Sequence, residues 1–258
     1  PKREAFGKVL NGQIGPVVAA ECTYNTGELW YKERKAGWTD FEYQLRNWLY
    51  YNWLSGDHIV EQAIHSIDML QWAMGDVLPV QVTGSGGRQK RVDKKFGNIY
   101  DHFAVVYEYE NGTKGYFSSR QQSDTAPSYA VELVGLDGKC IVDCRTGEHS
   151  ISGKKPWKYD DDTKFTDENA YKKSNSRSMY QQEHDELFAS IRNNKPKNDG
   201  EWMVKSNLVA LAGRMAAYSG QTVTLEAALA SNEIFFPENV SWDLKYDVPI
   251  AIPGITTN

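Results

Sequence analysis

The run "SGDHIVEQAIHSIDMLQWAMGD" at 55–76 sets histidines and carboxylates into what otherwise reads as one helix ending at Gly75. At about 100° per residue, Ile59, Val60, Ala63, Ile67, Leu70 and Met74 fall on one side. Asp57, His58, Glu61, His65, Asp68 and Trp72 fall on the other. Glu61 and His65, one turn apart, are neighbours on such a surface, so the carboxylate can hold the imidazole's tautomer and orientation. An imidazole titrating near neutral pH beside a carboxylate is the equipment of a general acid–base. Asp57 suits the positive end of the helix dipole, and Asp68 reads as a local cap or pair without a catalytic part. A polar helix face is commonly just solvated, but Trp72 in its middle and the aromatic-rich segment before it argue for a site.

Two cofactor readings of these residues are weaker. His58, Glu61 and His65 stand at i, i+3 and i+7, which is sterically open to a metal. The pattern is neither His-Glu-x-x-His nor His-x-x-Glu-His, so no metal is expected. "GSGGRQ" (84–89) begins like a dinucleotide loop, yet Gln89 takes the place of the third glycine and a basic run follows. A glycine-rich hairpin turn is expected there, and the chain carries an acid–base pair without an electron carrier.

Composition bounds the rest. With 258 residues, 40% hydrophobic and 24% charged, the chain can bury a sizeable core. A formal charge of −5 does not suggest a nucleic acid or an anionic membrane as partner. The basic run "RQKRVDKK" (88–95) reads as a solvated loop. No apolar run approaches the ~20 residues of a membrane helix. Cys22, Cys140 and Cys144 form no metal-type or disulfide pattern. Cys140 and Cys144 on one strand would sit about 13 Å apart, too far to bond. The chain opens at Pro1 in mid-helix pattern without a signal peptide, which suggests a fragment. Its compartment, cytoplasm or bacterial periplasm, is therefore not readable.

The elements that must position these residues follow from periodicity. Ala5, Val9 and Leu10 give a short helical stripe, and "PVVAAECTY" (16–24) reads as a strand. Residues 25–54 are rich in Trp and Tyr. From 77 to about 153 strands alternate with turns such as "ENGTKG" and "GLDGK", giving an antiparallel meander. A polar excursion covers about 154–176. Helices follow at 178–194 and 201–220, the second with a stripe through Val204, Leu208, Leu211 and Met215; "TLEAALAS" adds a last short one. The class is α+β: a single domain over 1–258 with an open, predominantly antiparallel β-sheet and helices on one face.

"GDHIVEQAIHSIDMLQWAMGD", with "GGRQ", "GNIYDHFAVVYEY" and "GRMAAYSGQTVT", resembles the C-terminal domain of the glucose–fructose oxidoreductase / inositol dehydrogenase (Gfo/Idh/MocA) family. The resemblance spans nearly the whole chain. It implies the substrate domain of an NAD- or NADP-dependent oxidoreductase, with the cofactor bound by an N-terminal Rossmann domain that this chain lacks. It implies a sugar or polyol substrate and assembly into a dimer or tetramer through the open sheet. The family's Asp four residues before His corresponds to Glu61 before His65. "KKP" (154–156) is not the family's Glu-Lys-Pro motif, whose lysine is the usual partner acid–base, so the chain alone is expected to be inactive in hydride transfer.

Substrate contacts are expected from Asp57, His58, Trp72, Arg46, Asn47, Trp48, Arg88, His102 and Arg120, with Asp101 as a further candidate. Two other classes fit the residues alone. One is a non-redox sugar-active enzyme using Glu61 and His65, with or without a metal; the other is a non-catalytic assembly module.

Overall fold

The computed structural model describes residues 1–159, 179–247 and 249–255. Nine strands form one sheet in the order β8-β7-β6-β5-β1-β4-β3-β2-β9. They are β1 Val17–Thr26, β2 Gln81–Gly87, β3 His102–Glu108, β4 Lys114–Gln121, β5 Ser128–Gly135, β6 Gly138–Asp143, β7 His149–Gly153, β8 Trp157–Lys158 and β9 Val223–Thr224. The helices are α1 Lys2–Leu10, α2 Asp40–Arg46, α3 Asn52–Ser55, α4 His58–Glu61, α5 Ile64–Ala73, α6 Met179–Arg192, α7 Gly200–Ser219 and α8 Leu225–Leu229. The class is the expected one, an open, mostly antiparallel sheet with helices against one face.

The meander is real but split. β2, β3 and β4 pair in succession, as do β5 to β8, and β1 enters between the two groups. It runs parallel to β4, from Ala19↔Lys114 to Thr26↔Gln121, and antiparallel to β5. One end of the sheet therefore gathers the last residues of β1 and β4 with the first of β3 and β5.

Alternation decides which side is covered. Phe103, Val105 and Tyr107 of β3, Phe117 of β4, Cys22 of β1 and Val131 and Leu133 of β5 enter the core beneath α1, α5 and α7. Their neighbours His102, Ala104, Tyr116, Arg120, Glu21 and Glu132 stand on the face without helices. α7 lies close to the sheet because Gly213 has no side chain: a Cβ there would meet the Tyr107 hydroxyl at 2.8 Å.

Several local expectations shift. In α1 the buried stripe is Ala5, Phe6 and Val9, and Leu10 is exposed. In α7 Val204 is exposed, while Ser206 to Ser219 is largely buried against β2, β3, α4, α5 and α8, and at its end Gly254 N–H of the C-terminal tail donates to Ser219 O at 2.8 Å. "GSGGRQ" is no hairpin turn; Gly84, Gly86 and Gly87 belong to β2. Glycine suits Gly86 because a Cβ would sit 2.7 Å from His102 O and 2.8 Å from the Tyr100 ring. Cys144 lies one residue beyond β6, and no disulfide joins Cys22, Cys140 and Cys144. Burial pushes the Cys140 thiol up to about 12, so it stays protonated. Of the polar excursion, Trp157–Lys158 pairs with β7, and residues 160–176 lie outside the described residues.

Candidate active site

The expected single helix is broken. α4 ends at Glu61 and α5 begins at Ile64. At the break Ala63 N–H reaches back five residues to His58 O at 2.8 Å, and the same carbonyl takes Gln62 N–H at 3.1 Å. One extra residue is thus accommodated as in a π-type turn, a feature that recurs at functional sites.

The break, and a left-handed Asp57 before it, overturn the helical-face assignment for the first two residues. Asp57 has φ 74 and ψ 162, a conformation costly for a residue with a side chain. Its buried carboxylate over-determines that conformation. One oxygen takes His58 N–H at 2.5 Å; the other takes Tyr100 N–H at 2.8 Å and the Tyr218 hydroxyl at 2.5 Å. The His58 ring is equally engaged, with Nδ1 3.1 Å from Tyr100 O and Nε2 2.9 Å from Ser119 Oγ. At 0% and 1% exposure, Asp57 and His58 tie α4 to β4, to α7 and to Tyr100 ahead of β3, and are closed off from a substrate. With both ring nitrogens of His58 occupied, the His58, Glu61 and His65 metal set does not assemble. Among the described residues no group of three or more His, Cys, Asp or Glu is placed to hold a metal.

Glu61 and His65 do lie at the sheet end, but unpaired. Burial is the one cause that raises the Glu61 pKa, and the His65 ring feels Asp68 and Lys2 rather than Glu61. Burial lowers the His65 pKa; Asp68 opposes this and Lys2 adds to it. The Tyr24 ring, from the end of β1, stands 6.3 Å from that of His65, and Tyr129 packs edge-on behind it at 4.9 Å. Burial, then Glu61, raises the Tyr24 pKa. A neutral imidazole, a carboxylate more readily protonated than usual and a neutral phenol therefore share one rim, a set able to take and return a proton near neutral pH.

The remaining candidates are distributed elsewhere. Trp72 packs edge-on against Phe6 at 5.1 Å and Trp202 at 6.4 Å, which uses its ring between α1 and α7. Asp68 pairs across to α7 rather than locally, accepting from Trp202 Nε1 at 2.6 Å and Ser206 Oγ at 2.7 Å. Buried Asn47 clasps the backbone of Lys32 at 2.9 and 3.1 Å. Arg46 bonds Glu42 at 2.9 Å and lies 4.5 Å over Trp38, and exposed Trp48 faces Trp30 at 6.5 Å. Arg88 clamps its own loop through Arg91 O at 2.7 Å and Gly97 O at 2.8 Å. His102 and Arg120 are cross-strand partners on the uncovered face, and Arg120 donates to Ala126 O at 2.7 Å.

The carboxylate–imidazole contact expected of Glu61 and His65 occurs instead at Asp101 and His102, 2.8 Å apart. Burial alone would raise the Asp101 pKa. The N–H groups of Arg91, the His102 ring, Lys90 and Gln89 together hold it well below the carboxylate range. Tyr24, Gln62 and Gln121 were missed from sequence. Tyr24 carried a signal, as the last aromatic of an alternating strand; the two glutamines carried none.

Residues 7–225 match the family described as "Oxidoreductase family, C-terminal alpha/beta domain". Among curated protein sequences no relative is found. Solved structures similar in fold include an aldose–aldose oxidoreductase from Caulobacter crescentus complexed with glycerol (TM-score 0.65, 18% identity, 86% of this chain and 60% of that one). Another is an oxidoreductase from Agrobacterium radiobacter in complex with NAD+, L-tartaric acid and magnesium (TM-score 0.60, 14% identity, 88% and 62%). A third is a UDP-N-acetylglucosamine 3-dehydrogenase from Acidithiobacillus ferrooxidans (TM-score 0.57, 16% identity, 83% and 57%). The chain thus spans about three-fifths of the length of these proteins. No helix among the described residues is long and apolar enough to cross a membrane.

Proposed function

Because the chain belongs to the Gfo/Idh/MocA oxidoreductase family as its C-terminal α/β domain, we propose that it forms the substrate wall of an NAD- or NADP-dependent dehydrogenase. The substrate class is a sugar, glycoside or polyol, oxidised at a hydroxyl or reduced at the corresponding ketone. The observation that carries this reading is the unpaired His65 ring, exposed at the sheet end beside Tyr24 and half-buried Glu61.

The described residues offer no cradle for a dinucleotide, since the one glycine-rich run is spent in β2, where Tyr100 and His102 crowd Gly86. The nicotinamide, which accepts the hydride, would come with a separate nucleotide-binding domain. This chain's share is the proton. Neutral His65 takes it from the substrate hydroxyl as the carbon loses hydride, and returns it in the reverse direction. Glu61 and the Tyr24 hydroxyl orient the neighbouring hydroxyls.

The uncovered sheet face, with small residues such as Ala104 and Ala130 among polar ones, is proposed to assemble with a second copy, as open sheets need cover. The test of the functional reading expresses the chain with its upstream coding sequence and follows nicotinamide absorbance over a panel of aldoses, glycosides and polyols. Cofactor reduction by a member of the panel supports the reading. Turnover that needs no nicotinamide would replace it with hydrolysis, elimination or epimerisation.

A further inference from the structure

Arg91 is fully buried, an unusual place for a guanidinium. Its Nη1 donates to Gln121 Oε1 at 2.7 Å and its Nη2 to Tyr100 O at 2.8 Å, and the Tyr50 ring lies 5.6 Å from it. Gln121, also fully buried, donates through Nε2 to Gln62 Oε1 at 2.7 Å. Arginine only donates, so the direction of the whole chain is set: Gln121 must offer its oxygen to Arg91 and its nitrogen to Gln62.

Gln62 is the residue at which the helix fails. It has φ −125 and ψ −49 after α4, and His58 O accepts from two successive N–H groups there. Nothing in "IVEQAIH" forces this, for the stretch contains neither proline nor glycine. Were the helix continuous, Glu61 and His65 would stack one turn apart and pair.

We propose that Arg91 and Gln121 form a clamp on Gln62 that holds the helix break open and keeps Glu61 and His65 apart. The two are positioning residues: they touch no reacting atom, and their effect is to leave the carboxylate and the imidazole free for a substrate. That last clause rests on the proposed oxidoreductase reading; the clamp itself does not. Asp57 and Asp101 oppose the cost of burying the Arg91 charge, and Arg91 N–H also donates to Asp101 at 2.9 Å.

The test is the titration of His65, followed by NMR on chain carrying isotope-labelled histidine. The charged groups acting on the ring are Asp68 of α5 and Lys2 of α1, and Tyr24 of β1 packs against it; Glu61 of α4 and Tyr180 of α6 act on Tyr24, as Tyr24 and Tyr180 do on Tyr129 of β5. Gln62→Met and Gln121→Met keep side-chain length and remove the amide links. Each is expected to let Glu61 pair with His65 and to raise the His65 pKa by about one pH unit. Adding Glu61→Gln to Gln62→Met should cancel the rise, an effect that a merely structural role would not produce. A His65 titration unmoved in both folded variants overturns the clamp. Where Arg91→Met unfolds the chain, the glutamine variants carry the test. If His65 shifts as stated while His65→Ala leaves cofactor reduction intact, the clamp stands and the catalytic reading falls; the converse pair of results removes the clamp alone.

Discussion

Glu61 and His65, one helical turn apart in sequence, lie on either side of a helix break and make no bond to each other. The consequence is electrostatic. Burial is the leading effect on each group, opposed at His65 only in part by Asp68, so both are displaced toward their neutral forms. An imidazole paired with Glu61 would be held more readily as a cation, leaving less of the neutral ring to accept a proton near neutral pH.

Burial also makes folding sensitive to pH through His65 and His149, whose pKa values it lowers. The unfolded chain then binds these protons more readily than the folded one. The stability they contribute is intact above about pH 6.5 and is lost as pH falls through the folded-state values. His149, 5% exposed, dominates over the exposed His65. His149→Gln is expected to flatten the decline in urea midpoint between about pH 7 and 5; an unchanged slope would refute this.

Asp57 supplies a second prediction. Asp57→Ala strands the Tyr218 hydroxyl and the N–H groups of His58 and Tyr100 in the core, and should cost about 3 kcal/mol in chemical denaturation. Asp57→Gly should be milder by about 1 kcal/mol, because the left-handed backbone suits glycine. Equal losses in the two variants would mean that the backbone conformation carries no cost.

Asp101 anchors the loop after β2 by accepting three successive N–H groups, those of Gln89, Lys90 and Arg91, at 2.8, 2.7 and 2.9 Å. In Asp101→Ala these amides should lose hydrogen-exchange protection by about 10-fold or more, while those of β5 and β6 keep theirs. Retained protection at Gln89–Arg91 would show that another group holds the loop.

What was legible in the sequence, and what was not, follows from the same physics. Alternation in "FAVVYEY" reports burial because each strand meets the core on one side, and Phe103, Val105 and Tyr107 do point inward. Periodicity could not place β1 between β4 and β5, since that pairing is long-range and leaves no local trace. It also placed Asp57 and His58 on a substrate-facing side of the helix because they are polar. Their satisfaction depends on Tyr100, Ser119 and Tyr218, which only the fold brings near. The helix break was hidden for the same reason, its hydrogen-bond partner being Gln121 on a different element.

The uncovered sheet face gives a prediction about assembly. Ala104 stands on it between Ser85 of β2 and Ser118 of β4, so Ala104→Glu should place a charge within any contact made there. Sedimentation should show the chain as an oligomer and the variant as a monomer. A parent that is monomeric at every concentration would remove the proposed interface.

The most direct measurement is the rate of nicotinamide reduction by the protein that carries its nucleotide-binding domain, compared with its His65→Ala variant. Loss of a positioned general base should lower kcat/KM by about 10²–10⁴-fold in both reaction directions, with cofactor affinity unchanged. Parental turnover in His65→Ala would contradict the role assigned to this ring.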